Sequence, residues 1–206
     1  MQRGKVSERN HKIERCCRLT ANFIYHHVIK FDMDVKKAIE ETRSVRKYQT
    51  KEIPDDLIEE LIDAARLAPS GNNAQPWKYK VIASKKEKAL LKENKIFKQD
   101  FVYKAPVIIL CCADPEAYPK AKFEQGFDDA YELRALRDLA ISSQNLILRA
   151  TELGLGTCYV GWMNKPRTKE IFGLPERYVI PYFITLGYPA DKPKPKSRKR
   201  TEEILL

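Results

Sequence analysis

Three short segments of the chain carry groups that could do chemistry. The first is Arg43-Ser44-Val45-Arg46. Two guanidinium groups and a hydroxyl on one connector suit a phosphate, because guanidinium meets phosphate oxygens bidentately and keeps its charge. The second runs from Pro69 to Trp77 (PSGNNAQPW), between an Ala-rich helical stretch and the strand-like KYKVIA. Its Ser70 hydroxyl, its Asn amides and its free backbone N–H groups suit the polar edge of a planar ligand. Gly71 there permits close backbone approach. The third is LGLGTCYVGW, residues 153–162. A glycine-rich, otherwise apolar strand can lie flat against an aromatic ring system while its N–H groups address the ring's polar edge.

Each segment also has a plain structural reading. The first is then a solvated basic turn. The second is a helix-to-strand turn with Gln75 satisfying backbone groups and Trp77 in the core. This explains Pro76 and Trp77 better than Ser70, Gly71 and Asn73. The third is a packed strand between tight turns, with Cys158 a buried, inert thiol.

What the chain lacks narrows the chemistry. All three His (His11, His26 and His27) lie in the first 32 residues. Residues 33–206 therefore offer no imidazole as general base, triad member or metal ligand, which removes most hydrolase and metalloenzyme readings. The five Cys (Cys16, Cys17, Cys111, Cys112 and Cys158) make no CxxC spacing. No zinc site or dithiol redox motif is signalled, and free thiols fit a reducing cytoplasm. No glycine-rich phosphate loop of either common pattern occurs.

The net charge of +10 suggests nucleic acid or anionic membrane at first. Its distribution argues otherwise. Residues 1–32 hold +4 and residues 189–206 hold +3, which leaves +3 for residues 33–188. The basic character belongs to the ends, and the aromatics of the centre are not interleaved with Lys and Arg in a stripe. No apolar run approaches the roughly 20 residues needed to span a bilayer. The expectation is a cytoplasmic protein with neither membrane nor nucleic acid as partner.

The elements that must position these segments form one domain. Residues 1–32 read as a basic extension without clear period, and 33–206 as the domain proper. Met33 is placed to be a start, and a real helical arm before it is the alternative. Asp34 can cap a helix whose Val35, Ala38, Ile39 and Thr42 share a face. Pro54, Asp55 and Asp56 open a second, with Leu57, Ile58, Leu61, Ile62 and Ala65 as its stripe. Residues 78–83 read as a strand, 85–94 as a charged helix and 105–112 (APVIILCC) as a strand buried on both faces. The strongest helical pattern spans 128–153, with Leu133, Leu136, Ala140, Ser143, Ile147 and Ala150 in register and Gly154 just beyond its end. A short strand at GTCYVG, a helix over 166–172 closed by Gly173 and a strand over 179–187 follow. The Pro/Lys-rich tail cannot pack on its own and is expected to lie across another surface.

Taken in order, RSVRKY, AARLAPSGNNAQPWKY, AISSQNLILRATELGLGTCYVGW, PYFITLGYP and KPKSRKRTEEIL resemble the FMN-dependent nitroreductase superfamily from Met33 to the C-terminus. The loop APSxxNxQPW is the most specific part. The resemblance implies an α+β, nitroreductase-like fold with a central mixed β-sheet flanked by helices and a C-terminal extension embracing the partner subunit. It implies a homodimer with two shared FMN sites. By position, Arg43, Ser44, Arg46, Lys196 and Arg198 would hold the phosphate and ribityl chain. Pro69, Ser70, Gly71 and Asn73 would approach the flavin from the partner chain. Cys158, Tyr159, Val160 and Gly161 would lie over the isoalloxazine, with backbone of Val160 or Gly161 near N5 and no catalytic side chain. One departure stands out: the family's usual Arg two places before the Ser is Thr42 here.

The implied activity is oxidation of NADH or NADPH coupled, in a ping-pong cycle, to reduction of a small nitroaromatic, quinone-like or other electron-poor acceptor. Cationic groups near the flavin would favour its anionic reduced form. Flavin reduction or enone reduction on the same scaffold is the alternative within enzymes. A basic nucleic-acid-binding protein without flavin is the alternative from another class.

Overall fold

The computed structural model describes residues 34–119 and 130–206, so the extension over 1–32 lies outside the described residues. Six α-helices occur among them: α1 (Val35–Glu41), α2 (Asp55–Arg66), α3 (Lys85–Glu93), α4 (Asp100–Lys104), α5 (Tyr131–Glu152) and α6 (Lys165–Phe172). The strands are β1 (Trp77–Ile82), β2 (Val107–Ala113), β3 (Gly156–Val160) and β4 (Val179–Gly187), which form one sheet in the order β1-β2-β4-β3.

All three ladders are antiparallel. The mixed character implied by the resemblance is confined to an isolated parallel bridge between Ser44 and Thr157. Each named strand meets a neighbour running the other way, so among the described residues parallel pairing arises only where the connector after α1 joins the edge of β3.

Strand β2 is buried at every position. Period-two geometry splits its side chains between two cores. Val107, Ile109, Cys111 and Ala113 face a layer containing Leu61 and Ala65 of α2 and Leu139, Leu146 and Ala150 of α5. Ile108, Leu110 and Cys112 face the opposite core with Leu91 of α3, Val102 of α4 and Phe183 of β4. Helices therefore cover both faces of the sheet, and this explains why residues 105–112 read as a continuous apolar run.

Local chemistry sets the helix ends. The Asp34 carboxylate accepts from Lys37 N–H at the start of α1, Ser84 does the same for Glu87 in α3, and Asn164 for Arg167 in α6. Pro54 stands just before α2 rather than inside it, with Asp55 and Asp56 in the first turn. Gly154 and Gly173 follow α5 and α6 at φ +73° and +59°, the left-handed conformation that terminates helices with least strain.

Two expected faces differ. In α1 only Ala38 is buried, while Val35 and Ile39 are exposed. In α5 the buried positions are Ala135, Asp138, Leu139, Ser142, Ser143, Leu146, Ile147 and Ala150. Leu133 and Ala140, expected in that stripe, point outward. The reason is chemical: Ser142 and Ser143 are buried because they bond to Tyr79, Tyr182 and the Ala65 carbonyl. Ser143, Ile147 and Ala150 fall inward as expected, while a stripe chosen by apolarity misses Asp138 and Ser142, whose polar groups are satisfied.

Candidate functional site: a cationic cavity beside β3

Two glycines place the first chemical segment. Gly156 of β3 and Gly187 of β4 are register partners at the end of the sheet. A Cβ on Gly156 would stand 2.7 Å from Val45 Cγ2, and one on Gly187 would stand 2.7 Å from both Pro106 and Tyr48. The recess they leave lets the connector lie on the sheet. Val45 N–H donates to Thr157 O at 2.8 Å, and the Tyr48 hydroxyl donates to Val45 O at 2.6 Å while meeting the Thr185 hydroxyl at 2.7 Å. Burial pushes the Tyr48 phenol up, which keeps it a neutral donor. Gly156 thus makes room for protein rather than for a flat ligand, and Gly154 serves the end of α5.

The tail is anchored to the residues that follow the connector. Gln49 N–H donates to Tyr188 O at 2.9 Å, Ala190 N–H to Lys47 O at 3.0 Å, and Lys47 pairs with Asp191 at 3.5 Å. Beyond Asp191 the tail is largely exposed. Its direction brings the basic end of the chain to the basic connector.

A cavity of about 340 Å³ lies between them. Among the described residues its cations are Arg43, Arg46, Lys194, Lys196 and Arg198, and no acidic side chain lines it. Ser44, Thr157, Cys158 and Tyr159 supply hydroxyl, thiol and ring surface, and Gln144 and Ile147 of α5 close the other side. The size falls within the roughly 300–1,000 Å³ of small-molecule sites. Five cations around one acid-free cavity make a site for a multiply charged anion such as a phosphate monoester.

The cations are not equivalent. Arg43 Nη1 donates to Glu40 O at 2.6 Å and to Thr42 O at 2.8 Å, the free carbonyls at the end of α1. Arg46 Nη1 has only a 3.3 Å contact to Ser44 O, and its guanidinium lies 5.9 Å from the Phe101 ring. Arg198 Nη1 reaches the carbonyls of Lys196 and Ser197 at 3.3 and 3.2 Å. Thr42 turns its hydroxyl to Ala38 O at 2.7 Å and to Thr151 at 3.1 Å. Cys158 is only 3% exposed; burial raises its thiol pKa, against which Arg46 and Ser44 pull down.

Of the residues named from sequence, the cavity brings together Arg43, Ser44, Arg46, Cys158, Tyr159, Lys196 and Arg198. Val160 and Gly161 do not line it. The Val160 side chain is buried in the second core, and Gly161 is exposed with only Pro181 O near a built Cβ, at 3.7 Å. The loop residues Pro69, Ser70, Gly71 and Asn73 do not line it either. The loop is tied to the N-terminal half of α5 through Gly71, whose N–H donates to Asp138 at 2.7 Å, and Asn72, which accepts from Arg134 at 3.0 Å. Pro76 and Trp77 are buried, Trp77 in the first core.

Sequence reasoning missed Gln144 and Lys194. Lys194 belongs to the Pro/Lys-rich KPKPK run, an extended segment that brings Lys194 and Lys196 to the same cavity. Gln144 is an exposed amide next to two buried serines. Its signal lies in the helical phase, once Ser143 and Ile147 are fixed inward.

A helix-covered α+β sheet with a basic, acid-free cavity where a glycine-backed connector, an edge strand and a tail converge defines the class. The Nitroreductase family model matches residues 39–188, and the chain belongs to that family. A Methanothermobacter thermautotrophicus protein whose name pairs NADH dehydrogenase with NAD(P)H nitroreductase is 35% identical over 166 residues, covering 78% of this chain and 80% of that one. The FMN reductase [NAD(P)H] of Bacillus subtilis is 28% identical over 83% of this chain and 72% of its own. Among solved structures, a Desulfovibrio desulfuricans protein in complex with FMN superposes with TM-score 0.71 at 30% identity, over 84% of this chain and 95% of that one.

Proposed function

We propose that this chain is an FMN-dependent NAD(P)H oxidoreductase that reduces small electron-poor acceptors. The observation that carries this reading is the acid-free cavity with five cations. The residues present fit the cofactor, because a dianionic phosphate needs this excess of unpaired positive charge and Ser44 and Thr157 add neutral donors. Family membership and relatives named for NAD(P)H-dependent reductase activity support it.

When bound, FMN supplies a two-electron carrier that exchanges hydride with nicotinamide and passes electrons to an acceptor. The chain's own residues would bind, orient and screen. Arg46, Lys196 and Arg198 would hold the phosphate with the Ser44 hydroxyl, and Arg43 would contribute less because its guanidinium already serves α1. The Gln144 amide would address a polar edge of the ring. Val160 and Gly161 can offer only backbone there, since the Val160 side chain is committed to the core. The Tyr159 ring packs edge-on against Tyr182 at 4.7 Å and would exclude water from one side. Acid–base side chains are not needed for hydride transfer, which suits a domain without His.

The same reading makes the protein a homodimer. The loop carrying Pro69, Ser70, Gly71 and Asn73 would wall the partner's flavin, the tail beyond Asp191 would embrace the partner, and donor and acceptor would alternate at one ring face. Residues 33–206 would suffice for this, and buried free thiols at Cys111, Cys112 and Cys158 suit a cytoplasmic setting. Among the described residues no helix is long and apolar enough to cross a membrane.

The test is the visible spectrum of the purified protein and identification of the released cofactor. The expected result is a yellow dimer that releases FMN and oxidises NADH or NADPH with a nitroaromatic or quinone acceptor. A colourless protein that takes up no added FMN overturns the proposal.

A further inference from the structure

A carboxylate outside the cavity is buried beneath the 69–77 loop. Asp138 of α5 is 2% exposed. Its Oδ2 accepts from Gly71 N–H at 2.7 Å and from the Tyr118 hydroxyl at 2.7 Å, and its Oδ1 lies 3.4 Å from Arg137 Nε. The Arg134 guanidinium lies 4.7 Å over the Tyr118 ring and donates to Asn72 Oδ1 at 3.0 Å. A buried carboxylate is tolerated only where donors fill its acceptor sites, and here a loop N–H is one of them.

The loop it holds is strained. Asn72, Asn73 and Gln75 have φ of 55°, 52° and 49°. Asn adopts this left-handed region more readily than other side chains, and Gln lacks that advantage. A turn that only joined α2 to β1 would need no such run. Conformations of this kind persist where their surroundings over-determine them, and they cluster at working sites. The outer part of the loop is internally braced, with Gln75 N–H donating to Ser70 Oγ at 3.0 Å and Gln75 Nε2 to Asn73 Oδ1 at 3.2 Å. Asp138 fixes the inner part.

We propose that Asp138 is a positioning residue: through Gly71 it holds the loop in the strained form that presents Ser70 and Asn73 to the flavin of the partner subunit. This rests on the reading above that the loop walls the partner's cofactor. Asp138 also lies six residues before Gln144, about 9 Å along the same helix at 1.5 Å per residue. One rigid helix then sets both the cavity wall and the loop.

The test uses the full chain and the variants Asp138→Asn and Tyr118→Phe. Three readouts are taken: amide exchange of residues 70–75 in flavin-free protein, the FMN dissociation constant, and dimerisation by size. Asp138→Asn is expected to speed loop exchange at least tenfold and weaken FMN binding about tenfold while remaining dimeric. Tyr118→Phe keeps the Gly71 hydrogen bond and is expected to speed exchange about threefold and weaken FMN binding about twofold. It carries the test alone if Asp138→Asn does not fold. Unchanged exchange overturns the clamp. Faster exchange with unchanged FMN affinity leaves Asp138 purely structural and overturns its positioning role. A wild-type dimer that binds no FMN overturns the cofactor reading and this proposal with it, and loop exchange in the variants then still reports whether the clamp exists.

Discussion

The cationic cavity and the 69–77 loop solve the same problem in opposite ways. The cavity works with long, mostly exposed side chains drawn from two distant stretches of chain, 43–46 and 194–198. Their precision is borrowed from the backbone beneath them, which the Gly156–Gly187 recess seats on the sheet. The loop works with short groups and backbone, and its precision comes from a buried carboxylate and an unfavourable φ run. The cavity is assembled within one chain. The loop lines none of it. Charge can be recruited with loose geometry because attraction to an anion falls off slowly with distance. Hydrogen bonding to a ring edge cannot, because it weakens steeply with angle.

The largest expected effect tests the charge side. In the double variant Arg46→Ala/Arg198→Ala, two charge-assisted contacts are lost, each worth about 1.5–3 kcal/mol. At 1.4 kcal/mol per decade, FMN affinity should fall by roughly two orders of magnitude or more. Both side chains are exposed, so the unfolding midpoint should barely move. Equilibrium dialysis with FMN and a thermal melt separate the two. Retention of wild-type affinity would show that the phosphate sits elsewhere.

Next is the recess. Gly156→Ala would drive a Cβ to 2.7 Å from Val45. Overpacking of this kind costs about 1–3 kcal/mol, several degrees of melting temperature for a chain of this size. The connector should shift and take Ser44 and Arg46 with it, so FMN affinity drops as well. A variant that melts lower but binds FMN normally would mean that the recess stabilises the fold without aiming the cations.

Gly71→Ala probes the loop with a smaller effect. The φ of Gly71 lies outside the left-handed region, and an added Cβ would meet Arg134, Asp138 and Tyr118 at 3.4–3.6 Å. Within its own chain the change is close to neutral, within about 0.5 kcal/mol. If the loop stands against the partner's flavin, FMN binding to the dimer should nonetheless weaken a few-fold. Normal affinity would place the loop away from the cofactor and leave the comparison between two unrelated features.

Much of this was legible in sequence, and the gaps have physical causes. The helix ends were readable because caps are local: Asp34, Gly154 and Gly173 act on their own turns. Strand β2 was readable because burial on both faces leaves no polar position. The inward face of α5 was legible only in part: Ser143, Ile147 and Ala150 were, whereas Asp138 and Ser142 are buried by partners far away in sequence. The role of Gly156 was not legible, because its neighbours Val45 and Pro189 come from opposite ends of the domain. Four of the five cations, Arg43, Arg46, Lys196 and Arg198, could be named one by one. Their convergence needed the tail's anchorage at Lys47 and Gln49, which no residue type announces.

The smallest expected effect is the most discriminating for the charge side. Arg43 lines the cavity, yet its Nη1 donates to the carbonyls of Glu40 and Thr42 at the end of α1. A cation at a helix C-terminus is worth about 0.3–1 kcal/mol to the helix, and that is the interaction Arg43→Ala should remove. FMN affinity should stay within about threefold of wild type, against the tenfold or more expected for Arg46→Ala alone. The complementary change is Thr42→Arg. It places a guanidinium at the edge of the cavity in place of a hydroxyl that now serves Ala38 O and Thr151, and FMN should bind several-fold tighter. If Arg43→Ala costs as much as Arg46→Ala, the five cations act as one undifferentiated field. Hydrogen bonding to the chain then does not decide which of them holds the phosphate, and the division of labour drawn here between charge and geometry must be moved inside the cavity.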